Sequence, residues 1–174
     1  MKRNPLNTRY VVLRVFLPAV LGMLCLAFVA APWLEACGRL GAGAVLRAFF
    51  SLLCHQEAAR SFSLLGHPWA VCHRCSGIYF GLFLLSLCPL RWNALVDEPR
   101  YRRVWIAAAT MPLLLDALLP FAGLWINTAA TRLATGALFG CMLASLLVRA
   151  LVDCARAVPR PCTGSARPAP GGFA

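Results

Sequence analysis

An all-α membrane protein that crosses the bilayer four times is the fold class this sequence predicts, and three observations predict it. Of its 174 residues 60% are hydrophobic and only 13% charged, with a mean hydropathy of +0.71. A soluble domain of this length would need more polar surface than the chain owns. Four continuous apolar stretches lie near the roughly 20 residues that a helix needs to cross the hydrocarbon, and none alternates as the short strands of a barrel do. Arginines gather at the ends of these stretches, the usual place for positive charge around membrane helices.

The first span is expected over about 10–31, interrupted only by Arg14 near its start, where a long side chain can reach back to the headgroups. The basic segment before it and the small residues Val29-Ala30-Ala31 resemble a cleavable signal, but the apolar run is longer than a signal core, so an uncleaved helix is favoured. A stretch at about 40–54 is too short to span and carries Arg47. Its Leu46, Phe49, Phe50 and Leu53 fall at helical spacing, which predicts an interfacial or re-entrant helix. Further spans are expected over about 76–92, 104–126 and 133–152. The third of the four holds Asp116 with Pro112 and Pro120, and the fourth has Arg149 near its end.

Charge fixes the expected orientation. With four spans and the N-terminus inside, Lys2, Arg3, Arg9, Arg14, Arg91, Arg100, Arg102, Arg103, Arg149, Arg156, Arg160 and Arg167 are cytoplasmic, twelve of the seventeen basic residues. A fifth span at 40–54 would put the Arg91–Arg103 cluster and the C-terminal arginines outside. The chain is therefore read as one multi-pass transmembrane domain over 1–154 in the plasma (inner) membrane, with both termini cytoplasmic. An outward loop covers 32–75, and a Pro/Gly/Ala/Arg-rich disordered tail covers 155–174. Topology also accounts for the net charge of +11, so nucleic acid is not an expected partner; the bilayer is.

The outward loop carries the chain's chemistry. Cys54-His55-Gln56 opens it chemically, and Cys72-His73-Arg74-Cys75 closes it at the mouth of the second span. Three thiolates and a histidine, with Cys54, Cys72, Cys75 and His55 as the candidate ligands and His67 or His73 as alternatives to His55, suit Zn²⁺, which prefers four N/S donors. Adjacent Cys54 and His55 diverge by about 100° on a helix, so a three-cysteine site with an open position is the alternative. A c-type haem is disfavoured, because no His follows Cys75. A thiol–disulfide redox pair linked to quinone is a second reading, since a helix N-terminus and Arg74 both favour a thiolate. A disulfide or zinc that merely staples the loop is a third. Cys25, Cys88 and Cys141 read as buried apolar residues. Asp116 is an acid within an apolar span and asks for a role in proton transfer, ion contact or substrate binding, or for a partner in Arg132 or Arg74. Asp116 and Arg132 are the tentative catalytic pair. Arg60, Ser61, Arg74 and Arg132 form a candidate rim for an anionic or lipid-soluble ligand. Gly77/Gly81 and Gly136/Gly140 carry the small-x-x-x-small spacing of close helix packing.

Cys54-His55-Gln56, Arg60-Ser61-Phe62 and Val71-Cys72-x-Arg74-Cys75-x-Gly77-Ile78-Tyr79-x-Gly81 resemble the signature of the DUF2085 family of small membrane proteins. A second block, Asp116, Asn127-Thr128, Arg132, Thr135-Gly136 and Gly140, fits the same family, and the resemblance covers about 51–140. It implies a polytopic membrane fold, supports the choice of residues and brings Tyr79 into the ligand-binding set, but implies no reaction. Ala58 and Ala59 stand where the family is expected to have a proline and an acid, which loosens the loop without removing a candidate ligand. No Ser-His-Asp triad, phosphate loop or paired catalytic carboxylates occur, and neither the oligomeric state nor an enzymatic activity is legible.

Overall fold

The computed structural model describes residues 5–88 and 98–157, without side chains for 5–13 and 155–157. The end of the expected second span after Cys88, Arg91, and the tail from 158 onward lie outside the described residues. The chain is mostly helical: α1 (Pro5–Ala36), α2 (Leu40–Ser51), α3 (His73–Leu87), α4 (Pro99–Leu118) and α5 (Ala129–Ala157), with a 3-10 turn at Ala58–Arg60. A two-residue hairpin pairs β1 (Ser63–Leu64) with β2 (His67–Pro68), antiparallel. Its turn is Leu65-Gly66, both at positive φ (54° and 84°), the geometry that two-residue hairpin loops require.

Among the described residues, two helical segments are long and apolar enough to cross a membrane, Arg14–Ala36 and Ala129–Cys154. They contain most of the expected first span and all of the fourth. The expected third span is helical only to Leu118, because Pro120 has no N–H to continue the ladder. A turn then closes on Gly123 (φ 67°), with Leu124 N–H on the Leu119 carbonyl and Gly123 N–H on that of Pro120. The expected helix at 40–54 stops at Ser51, which leaves Cys54 in the coil beyond it. At the other side α1 runs five residues past Ala31, through a fully buried Pro32 to Ala36.

α3 and α5 form the most extensive helix pair. A Cβ added at Gly77 or Gly81 would run into the carbonyl oxygen of Leu133 or Ala137 on α5. One added at Gly136 or Gly140 would meet the carbonyl of Arg74 or Ile78 on α3. Each helix thus lays its backbone in the gap left by the other's missing side chains, the contact that apolar helices use where water supplies no driving force.

The core gathers at the end of the bundle where the loop docks. Phe28, fully buried, has the rings of Phe50, Trp69, Tyr79 and Phe80 around it at centroid distances of 5.6–6.0 Å. Pro32 lacks the N–H that would bond the Phe28 carbonyl four residues back, and that freed carbonyl accepts the N–H of Ala70 (3.3 Å). The loop is thereby pinned to α1 just before Cys72. A second pin is ionic: Arg47 on α2 forks onto Glu35 on α1 (Nε–Oε1 2.5 Å, Nη2–Oε2 2.8 Å) and donates to the Pro68 carbonyl, while His67 Nδ1 lies 3.4 Å from Glu35 Oε2. Arg47, read from sequence only as a bar to spanning, therefore joins α1, α2 and the hairpin.

Candidate metal centre and arginine-lined cavity

Cys54, Cys72 and Cys75 come together at the start of α3, their sulfurs all within 4.8 Å of one another. Tetrahedral thiolates at a Zn–S distance of about 2.3 Å lie about 3.8 Å apart, so the donor set is of the right size for one ion. Backbone geometry brings the sulfurs there. Gln56 takes a left-handed conformation (φ 52°), uncommon for a non-glycine, and its side-chain amide donates to the Arg47 carbonyl (2.6 Å), which reverses the chain after Cys54. The N–H of Cys72 points at the Cys54 sulfur (3.3 Å). Cys72 caps α3, and its carbonyl receives both the N–H and the hydroxyl of the fully buried Ser76.

The three thiols are free, and they share their protons unequally. Hydrogen bonds from Cys54 and then Cys75 pull the Cys72 pKa down to about 2, and contacts with Cys54 and then Cys72 push that of Cys75 far up. The thiolate is thus favoured at Cys72 and the thiol at Cys75. A cation bound there would take the place of thiol protons.

Beside the sulfurs opens a cavity of about 460 Å³. Cys54, Cys72, Cys75, His55, Gln56, Glu57, Arg60, Arg74, Asn127 and Arg132 are its polar lining, and Leu53, Ile78, Pro120 and Phe121 are among its apolar walls. Arg74 turns toward α4, where Nη2 meets Asp116 Oδ2 at 2.6 Å and the Asp116 carbonyl at 3.3 Å. That carbonyl is free because Pro120, four residues on, cannot donate to it. It also accepts from Asn127 Nδ2 (2.7 Å), whose Oδ1 takes a bond from Arg132 Nη2 (2.6 Å). Asp116 and Arg132 are thus linked through Asn127 and a backbone oxygen, and the carboxylate pairs with Arg74.

The remaining sequence candidates lie at graded distances from this centre. His55 is exposed and lines the cavity, but stands outside the three-sulfur group. Arg60 lines the mouth and pairs with Glu57 at 3.1 Å in the open. The Ser61 hydroxyl donates to the Glu57 carbonyl (2.9 Å). Tyr79 packs its ring between Phe28 and Phe50 in the core. His73, buried, sets its ring edge-on to Phe62 at 4.3 Å. Its pKa is lowered by burial, with Arg132 acting in the same direction. Gln56 and Asn127, quoted from sequence only as members of a motif, emerge as the residues that shape the site.

Fold and site together define a class: a mostly helical protein with helices fit to cross a membrane and a cysteine cluster opening on an arginine-lined cavity. The chain belongs to DUF2085, a family of predicted membrane proteins whose pattern matches residues 54–146. Both halves of the site, from Cys54 to Arg132, fall within that match. Among similar proteins are the uncharacterized protein MJ1492 of Methanocaldococcus jannaschii, 34% identical over 96 residues (55% of this chain, 61% of the relative), and an uncharacterized protein of Methanothermobacter thermautotrophicus, 41% identical over 49 residues (26% of this chain, 44% of the relative). The chain spans less than two thirds of either relative. No solved structure matches it.

Proposed function

We propose that the protein is a four-span plasma-membrane protein, both termini cytoplasmic, that holds a zinc ion on its outer side through Cys54, Cys72 and Cys75, next to a cavity for a lipid-soluble or anionic ligand. The observation that carries this reading is the convergence of three sulfurs within 4.8 Å from the two ends of the 54–75 excursion. Such a gathering of thiols, with a backbone N–H aimed at one of them, is the donor chemistry that zinc selects. The fourth position is left to His55 or to a ligand in the cavity. The C-terminal end of α4 and the N-terminal ends of α3 and α5 contribute to the site, in keeping with helices that alternate in direction across the bilayer. The exposed side of α2 is apolar at Leu40, Val45 and Phe49, in keeping with a helix lying in the membrane face.

Elemental analysis of detergent-purified protein tests the metal. One zinc per chain, lost in Cys72→Ser, is expected. Metal-free protein in which two of the three cysteines form a reducible disulfide overturns the proposal in favour of thiol redox chemistry, the second reading, which the Cys72 thiolate beside two thiols favours. Zinc without any bound ligand leaves a loop staple.

A further inference from the structure

The cavity treats its three arginines differently. Arg74 is matched by the buried Asp116 carboxylate. Arg60 is matched by Glu57, but both are more than half exposed, a pair that water and salt loosen easily. Arg132 is half-buried, and its hydrogen bond goes to Asn127, a neutral amide; among the described residues no carboxylate stands within ion-pair range of it. Asn127 is itself anchored to the Asp116 carbonyl, so the Arg132 guanidinium is held in place by a group that does nothing to neutralise it. A fixed, fork-shaped cation without a counter-charge is built to receive an oxyanion.

The other walls say what the oxyanion is attached to. A volume of about 460 Å³ exceeds what a bare ion needs and falls in the range of small-molecule sites. The lining also has apolar members, and two of them, Leu53 and Phe121, are 71% and 87% exposed. The ligand thus has a charged end and a greasy one.

We propose that the cavity binds the phosphate headgroup of a membrane amphiphile, with Arg132 and Arg60 gripping the phosphate and the tail leaving past Leu53 and Phe121 into the bilayer. The inference deepens the metal-centre reading and rests on it for what the headgroup faces, the open side of the three-thiolate site. Arg132 and Asn127 form a binding unit in which Asn127 is the positioning residue.

Native mass spectrometry of the full chain in detergent, offered phosphatidic acid, phosphatidylcholine or inorganic phosphate, tests this, with zinc content read on the same samples. Wild type is expected to retain phosphatidic acid over phosphatidylcholine. Arg132→Gln should weaken that retention about tenfold or more while keeping its zinc. Equal retention of the two lipids by wild type overturns the proposal, as does unchanged phosphatidic acid binding in both Arg132→Gln and the exposed-site variant Arg60→Gln. Inorganic phosphate that binds as tightly as phosphatidic acid overturns the amphiphile and leaves an anion site. Should Cys72→Ser lose zinc and keep the lipid, headgroup binding stands apart from the metal. Lipid selectivity in a protein that never holds zinc defeats the metal reading alone.

Discussion

Asp116 offers one carboxylate oxygen to Arg74 at 2.6 Å, and its other oxygen, like Arg74 Nε, is buried without a hydrogen-bond partner. Such a pair is a poor source of net stability but a costly one to break, because either charge left alone is stranded away from water. Asp116→Asn is expected to lower stability by about 2–3 kcal/mol, read as a fall in Tm in detergent. Adding Arg74→Gln to it should cost less than the sum of the single changes; strict additivity would mean that the two groups do not interact. The three cysteines were legible in the sequence because thiols are rare, reactive and spaced for convergence. The Arg74–Asp116 pair is one of the two partnerships the sequence offers for Asp116, with Arg132 as the other. Glu35 and Arg47 give no such signal, since they stand twelve positions apart and meet across a chain reversal through Gly38 (φ 77°). Gln56 is invisible for another reason: its role lies in a backbone angle, and nothing about a glutamine announces a positive φ.

At the scale of the elements, prolines and glycines decide what the helices can touch. Pro32 and Pro120 each deprive a carbonyl four residues earlier of its partner. Both orphans are re-used, one for the loop at Ala70 and one for Arg74 and Asn127. The prolines were visible in the sequence, but which atoms would claim the released oxygens depends on neighbours far along the chain. The small-x-x-x-small pairs read correctly as packing faces, since both their spacing and their chemistry are local. Gly77→Ala is expected to destabilise by about 2 kcal/mol or more, because its methyl group would meet a backbone oxygen that cannot move without its helix. Gly41→Ala, in open space on α2, should be neutral or gain up to about 1 kcal/mol. Thermal unfolding of the two variants side by side checks the contrast, and equal melting temperatures would deny the tight crossing.

For the whole molecule, hydropathy and charge located the helices better than they located their ends. α4 was expected to run to Ile126, but the apolar run outlasts the helix: Pro120 and Gly123 stop it, and the remaining apolar residues, Phe121, Leu124 and Ile126, stand exposed around the turn. The proposed orientation predicts opposite fates for two exposed cysteines, Cys37 beyond α1 and Cys154 near the end of α5. In intact cells a membrane-impermeant maleimide should modify Cys37 and leave Cys154 untouched until the membrane is opened. Labelling of both, or of Cys154 alone, would reverse or abolish the four-crossing topology.

The reciprocal glycine crossing has a mechanical consequence. Sliding α3 along α5 by a single residue would drive carbonyls into side chains at four positions, so the two rods behave as one lever with no play between them. Room beside Arg132 is not gained by sliding one along the other. An occupant of the kind proposed would press instead on the 119–128 turn, where α4 has ended.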